Sequence, residues 1–309
     1  IQSAKNELLD SEKNSNNLSF IKGKERNINL LIKEFNRAKN LDPKLVESLA
    51  KAKSKGYESW QEAKKKSDFK VFLPFFEELV KLRIEEAKQI SDQYSPWETL
   101  AQPFEPELTL KWLNKMFQPL KDTLPELIRG VDKSKKYHWD LSPESQHNLC
   151  SKLLDEFGRD KDLVVVGKSP HPFSITLGPN DYRITTRIVE GEPLSSFLAT
   201  AHEWGHSIYE QGLPSQSHQW FAWPLGQATS MGIHESQSLF WENRIVKSKS
   251  FSKRFFNKFV SAGCSLNNYL ELWKSINHLE AGLNRVEADE LTYGLHILIR
   301  TELEIDLIE

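Results

Sequence analysis

Two histidines bracket a glutamate in His202-Glu203-Trp204-Gly205-His206. On a helix, His202 and His206 stand one turn apart on the same face, so both imidazoles reach one ion. Glu203 is rotated off that line but stays near the ion's open position, where it takes a proton from an activated water. A catalytic zinc of this kind needs a third protein ligand and one open position. Glu210 lies eight residues after His202, about 12 Å along a regular helix. Ligands of one ion sit only ~3–4 Å apart, given metal–ligand bonds near 2 Å, so Glu210 is excluded as a ligand. The best candidate is Glu235 in Gly232-Ile233-His234-Glu235-Ser236-Gln237-Ser238. Glu242 is the runner-up, and its bland reading is a surface glutamate. His234 adjoins the proposed ligand and is placed to donate to a substrate carbonyl. His171, just before Pro172-Phe173, reads as structural on composition, yet it stands with Arg183, Arg285, His234 and Asp181 among the candidate substrate-binding residues. Trp204, Trp220, Trp223 and Trp241 cluster around the motif and read as core.

The motif needs a helix, and the sequence supplies one over about 192–211, ending near Gly212 and Pro214. Further helices are predicted over 228–260 and 265–300. The N-terminal half is also helical in pattern. Ile28, Leu31, Ile32 and Phe35 repeat at helical spacing, as do Phe72, Phe75, Phe76 and Leu79, with Pro74 starting or kinking that helix. Leu110, Leu113, Phe117 and Leu120 mark another, after a proline-bearing connector at 93–109. Between the halves lie β-branched Leu163–Val166 and a strand–turn–strand, Phe173–Leu177 and Tyr182–Val189 around Gly178-Pro179-Asn180-Asp181. Period 2 puts Asp181, Arg183, Thr185 and Arg187 on a polar face of the second strand, opposite Tyr182, Ile184, Thr186 and Ile188. The expected fold is mainly α, with a small antiparallel β-sheet near the site. One domain is expected over 1–309: a helical part at 1–159, the hairpin region at 160–190, and metal-binding helices at 191–309.

Composition narrows the function classes. The 309 residues carry 41 Lys+Arg and 43 Asp+Glu, so nothing global points to nucleic acid or an anionic membrane. No apolar run approaches the ~20 residues that span a bilayer. The first twenty residues are polar, unlike a secretory signal. Two cysteines, Cys150 and Cys264, suit a reducing cytosol rather than a disulfide scaffold. The expected setting is cytoplasmic.

Five motifs in order resemble the carboxypeptidase Taq family of metallocarboxypeptidases. They are His171-Pro172-Phe173; Asp181-x-Arg183-x-Thr185-Thr186-Arg187; His202-Glu203-x-x-His206 with Tyr209-Glu210-Gln211-Gly212; Gly232 through Ser238 with Trp241-Glu242-Asn243; and Arg285-Val286-Glu287-Ala288-Asp289-Glu290. The resemblance implies a helical gluzincin fold, a zinc or cobalt ion, removal of single residues from peptide C-termini, and homodimers. By match, His202, His206 and Glu235 are the metal ligands and Glu203 the general base. The family's Ile or Val before the arginine is Asn284 here. Its last motif, Gly-x-x-Gln-Asp-x-His-Trp, has no counterpart, so the family's C-terminal part is expected to be missing. An exopeptidase must also grip a free carboxylate, which suits arginine. Arg183, oriented by Asp181, ranks first for that role and Arg285 second; a helical i, i+4 pair with Asp289 is the bland alternative for Arg285. Two other functions stand beside this one: an endo-acting zinc oligopeptidase of the same chemistry, and a non-catalytic metal-binding helical protein.

Overall fold

A computed structural model describes residues 18–91, 93–130, 137, 139–169, 171–283, 285 and 288–309. The chain is mainly helical, and it divides into two compact units. One holds the described residues up to Met116 with Ala222–Thr229 and Ile299–Glu309; the other holds Phe117–Phe221 and Ser230–Leu298.

The first unit contains helices α1 (Leu18–Lys39), α2 (Pro43–Lys66), α3 (Leu73–Ile90) and α4 (Pro96–Ala101). Asp42 caps α2 by accepting from the Lys44 N–H at 2.9 Å, satisfying one of the donors every helix start leaves free. Pro74 lies in the first turn of α3, where its missing N–H costs nothing. The proline therefore starts the helix rather than kinking it. The predicted connector holds a helix, α4, closed by a capping box between Ser95 and Glu98. Buried Asn27 accepts the Leu225 N–H at 2.9 Å. Only part of the apolar face predicted for α1 is core: Ile28 is buried, while Leu31 and Phe35 are 39% and 50% exposed.

The second unit carries the candidate site. It takes in most of α5 (Leu110–Arg129), then α6 (Pro143–Glu156), strands β1 (Val164–Lys168), β2 (Phe173–Gly178) and β3 (Asp181–Thr186), α7 (Pro193–Gln211), α8 (Met231–Leu239), α9 (Lys249–Ala262), α10 (Tyr269–Ile276) and the first part of α11 (Glu290–Ile308). β2 and β3 form the expected antiparallel hairpin, with Phe173 opposite Thr185. Asn180 makes the turn at φ 64°, a left-handed conformation its short polar side chain tolerates. β1 adds to the far side of β3 in parallel, Val164 opposite Tyr182. The sheet is thus mixed, in the order β1-β3-β2, because the run at 163–166 reaches β3 by a crossover rather than a tight turn.

Helix α7 is the centre of this unit. Phe197 and Ala201 pack into a core with Leu149 and Leu153 of α6, Phe251, Phe255 and Phe259 of α9, and Leu272 and Ile276 of α10. Trp204 packs with Ile184 of β3, Val164 of β1 and Leu154 of α6. Each fully buried Leu, Ile or Phe among these contributes roughly 1.5–3 kcal/mol. One face of α7 is anchored in this way, and the histidines occupy another.

Two long helices predicted from the sequence are broken. The stretch at 228–260 is α8, a π-helical turn over Phe240–Val246, and then α9, whose start is capped by Ser248 accepting from Phe251 N–H at 3.1 Å. In the stretch at 265–300, α10 ends at Ile276 and α11 starts at Glu290. Asp289 sets where the second of these helices starts. Its Oδ1 accepts the N–H groups of Leu291 and Thr292, both at 2.9 Å, and so starts α11. An aspartate used as a cap lies at a helix boundary, so the bland alternative for Arg285, a pair with Asp289 one turn away inside a helix, does not describe these two residues.

Candidate metal centre

α7 begins with Pro193 in its first turn, where proline's fixed φ suits helix entry. Nine residues on, its 3.6-residue repeat sets His202 and His206 side by side, ring centroids 5.0 Å apart. α8 begins at Ser230, which accepts from Ile233 N–H at 3.0 Å, and carries His234 and Glu235. Gly205 makes the meeting of the two helices possible. A Cβ there would sit 2.4 Å from Ser238 Cα and 2.5 Å from the Gln237 carbonyl oxygen. Only glycine lets the backbone of α8 come that close to the histidine helix.

The result is one cluster. Donor atoms of His202, His206 and Glu235 all lie within 4.8 Å of one another. Oε2 of Glu235 is 3.6 Å from Nε2 of His202 and 3.3 Å from Nε2 of His206. The far side of each ring is held. His202 donates from Nδ1 to Oε2 of Glu242 at 2.9 Å, and Nδ1 of His206 lies 2.7 Å from Nδ1 of His234. Glu235 is itself gripped, its Oε1 accepting from Tyr293 Oη at 3.0 Å and its Oε2 from Ser238 Oγ at 3.2 Å. Two imidazoles and a carboxylate with their Nε2 and Oε2 atoms convergent, and with outer partners on each ring, make a donor set that could hold one ion.

The electrostatics follow from this crowding. Burial raises the Glu203 carboxyl above its ordinary range, against the attraction of His202 and His206. Burial pulls His202 down, but the hydrogen bond and charge of Glu242, with the charges of Glu235 and Glu203, outweigh it and raise it. Burial also opposes the charge on Glu235, yet the hydrogen bond from His206 and the charges of both histidines bring it down to about 2. Tyr293 is pushed up to about 12 by burial and by the neighbouring Glu235 charge. Glu203 is 7% exposed.

Other expected residues lie elsewhere. Arg183 and Asp181 pair through two hydrogen bonds, 2.9 and 3.1 Å, on the exposed face of β3. Ile184 and Thr186 face the other way, and Thr186 Oγ1 donates to Ser196 O of α7 at 3.1 Å. The polar face of β3 thus looks away from the helix that carries the histidines. His171 is exposed at the head of β2. Arg285 does reach the cluster. Its Nη1 donates to Tyr293 Oη at 3.4 Å, and its guanidinium lies 5.9 Å from that ring's centroid. Val286 and Glu287 of the same motif, and Asn284, lie outside the described residues.

Sequence reasoning missed three participants. Glu242 is not a surface glutamate; it is the partner of His202 and lies 3.6 Å from the buried Nζ of Lys247. Its signal was its spacing, two turns after Glu235. Glu210 is no ligand but lies 2.8 Å from Nε2 of His234. Tyr293 carried no local signal, since it belongs to a helix more than fifty residues from its partner.

Comparison with known proteins gives the family. The family model for Carboxypeptidase Taq (M32) metallopeptidase matches residues 2–309. The chain belongs to this family. It is 34% identical over 290 residues to Thermostable carboxypeptidase 1 of Thermus thermophilus, covering 88% of this chain and 56% of that protein. It is 35% identical over 289 residues to Carboxypeptidase 1 of Bacillus subtilis, covering 90% and 56%. A solved structure of Pyrococcus furiosus carboxypeptidase aligns with TM-score 0.84 at 27% identity, covering 98% of this chain and 62% of that one. The M32 carboxypeptidase of Deinococcus radiodurans aligns with TM-score 0.83 at 27% identity, covering 97% and 61%. The chain spans about half the length of the relatives it matches. A metallopeptidase family implies a divalent metal ion, and the convergent donors of His202, His206 and Glu235 fit one. Among the described residues, no helix is long and apolar enough to cross a membrane.

Proposed function

We propose that the chain carries the centre of a metal-dependent carboxypeptidase that releases C-terminal residues from peptides. The observation that carries this is the His202–His206–Glu235 cluster beside a buried Glu203, in a chain of this family. His202 Nε2, His206 Nε2 and Glu235 Oε2 would hold the ion, and zinc suits a set of two imidazoles and one carboxylate. Cobalt is the second choice. When bound, the ion supplies Lewis acidity, activating water near neutral pH and polarising the scissile carbonyl.

The chain's own residues do the rest. Glu203 accepts the proton of the attacking water and returns it to the leaving amine nitrogen. Its raised proton affinity, from burial, moves it toward that task. Glu242 keeps Nε2 of His202 free by taking the proton of Nδ1. Tyr293 restrains Glu235 through the oxygen that does not face the histidines. Arg285 now ranks ahead of Arg183 for gripping the substrate carboxylate, because it lies on Tyr293 at the cluster, whereas Arg183 is neutralised by Asp181 on an exposed face. His234 is engaged on both ring nitrogens, so we assign it to the support of His206 rather than to a substrate carbonyl. His171, exposed at the head of β2, stays a substrate-binding candidate whose bland reading is structural. Residues 1–309 are read as part of one peptidase domain. A homodimer follows from the family resemblance, and a cytosolic setting suits two free, buried cysteines.

The test is a zinc titration with an assay on a blocked dipeptide and on the same peptide amidated at its C-terminus. Zinc-dependent cleavage of the free acid alone is the expected result. Good cleavage of the amide would favour an endopeptidase, and tight zinc binding with neither cleavage would favour a non-catalytic metal protein.

A further inference from the structure

The two candidate ligand histidines are backed by unlike partners. His202 gives its Nδ1 proton directly to a carboxylate, Glu242. His206 instead meets a second imidazole, Nδ1 to Nδ1 at 2.7 Å. Nε2 of that second ring, His234, then lies 2.8 Å from Oε1 of Glu210. Oε2 of Glu210 accepts from Thr176 Oγ1 on β2 at 3.4 Å. The row is Glu210, His234, His206, and then the metal side of the cluster.

Hydrogen-bond chemistry allows two orders of protons along this row when both rings are neutral, one set by Glu210 at 2.8 Å from Nε2 of His234 and one by Glu235 at 3.3 Å from Nε2 of His206, and the shorter contact selects the first. An ionised carboxylate accepts and cannot donate, so His234 carries its proton on Nε2. Its Nδ1 is then bare and must accept. The proton between the rings therefore belongs to Nδ1 of His206. That leaves Nε2 of His206 bare, on the side where Glu235 Oε2 stands 3.3 Å away. A histidine ligates a metal through an unprotonated nitrogen. The reverse order would protonate Nε2 of His206 and close that donor.

We infer that Glu210 is a positioning residue that, through His234, fixes the tautomer in which His206 offers Nε2 to the ion. This rests on the reading of the cluster as a metal centre. Glu210 cannot ligate the ion itself, yet it reaches the centre through a side chain of the neighbouring helix. The row is sheltered, with side chains 19%, 15% and 25% exposed for His206, His234 and Glu210, so water competes weakly for these bonds. Tyr209 packs edge-on to His234 with centroids 5.0 Å apart, which holds the plane of the middle ring.

The direct test needs no variant and no metal. In metal-free chain with 15N-labelled histidine, two-bond 1H–15N correlations at neutral pH report each ring's tautomer. The expected result is His206 protonated on Nδ1 and His234 on Nε2. A proton on Nε2 of His206, or on both nitrogens of His234, would overturn the inference. The second test is competition titration with zinc. Glu210→Ala and His234→Leu should each weaken zinc binding about 10–100-fold, the usual scale for losing an outer partner. The double variant should lose no more than the worse single one, because both break the same row. His234→Asn should recover part of the loss, since its amide oxygen accepts from His206. Wild-type affinity in Glu210→Ala, or additive losses, would refute the relay. If the unsubstituted chain bound no zinc, the metal-centre reading would fail, and the tautomers alone would then decide the relay.

Discussion

Replacing Gly205 with Ala separates local from tertiary reasoning, because the two predict opposite signs. As a residue inside α7, alanine should stabilise the helix by about 1 kcal/mol over glycine. At the crossing of α7 and α8 the added Cβ would stand 2.4 Å from Ser238 Cα and 2.5 Å from Gln237 O. Both atoms are backbone, so no rotamer change relieves the clash. Ordinary contact begins near 3.4 Å, so α8 must retreat by about 1.0 Å, the difference between the two distances. Overpacking of this kind costs typically 1–3 kcal/mol and occasionally more, which cancels or exceeds the propensity gain. The retreat also carries Glu235, three residues before Ser238, away from histidine nitrogens now 3.3 and 3.6 Å distant. Metal sites tolerate deviations of only about 0.2 Å. Zinc affinity should therefore fall by at least the ~10–100-fold that losing an outer partner costs. Competition against a chromophoric chelator reads the affinity, and thermal unfolding of the metal-free chain reads the stability. A Gly205→Ala protein that is more stable than the parent and binds zinc equally well would refute the packing argument.

Glu203→Gln should cut turnover at least ~10²-fold, the scale of a lost general base, while leaving zinc affinity nearly intact. It should also stabilise the metal-free protein at neutral pH. The native carboxyl is raised above its ordinary 4.5 by burial, so its ionised form costs stability at pH above the native value, and that cost disappears as pH falls below 4.5. Thermal midpoints at pH 7 and pH 4 should show the gain at pH 7 only; a loss at pH 7 would contradict the burial argument. Glu242→Ala should weaken zinc ~10–100-fold. Losing the partner of a buried charge costs about 3–5 kcal/mol, and Lys247 here has a side chain only 7% exposed. Denaturant unfolding measures that loss, and a change within error would return Glu242 to a surface role. Arg285→Met should lower activity on free-acid peptides tens-fold or more, from the roughly 2–5 kcal/mol of a paired carboxylate contact, with little effect on zinc binding. Arg183→Met should do much less, and the reverse ranking would show that the exposed strand face meets the substrate.

Much was legible in the sequence because it depends on short-range regularities. The 3.6-residue repeat alone puts His202 and His206 on one face of a helix, and the 1.5 Å rise alone removes Glu210 from the ligands. Alternation in β3 separated Ile184 and Thr186 from Arg183 before any packing was known. Helix length was less secure, since a π-helical turn at Phe240–Val246 and an aspartate cap at Asp289 interrupt apolar patterns that run on through both. What only the tertiary structure decided is which groups stand opposite the histidines. That Glu242 backs His202, that His234 links His206 to Glu210, and that Tyr293 brings Arg285 to Glu235 are meetings between elements far apart in the chain. The link from His206 through His234 depends on how closely α7 and α8 approach, and the permissive feature there is the missing side chain of Gly205. A pattern along one helix records which way a side chain points, but it carries no record of the distance to the next helix. That distance is set by packing, and it decides whether a glutamate is surface, partner or ligand.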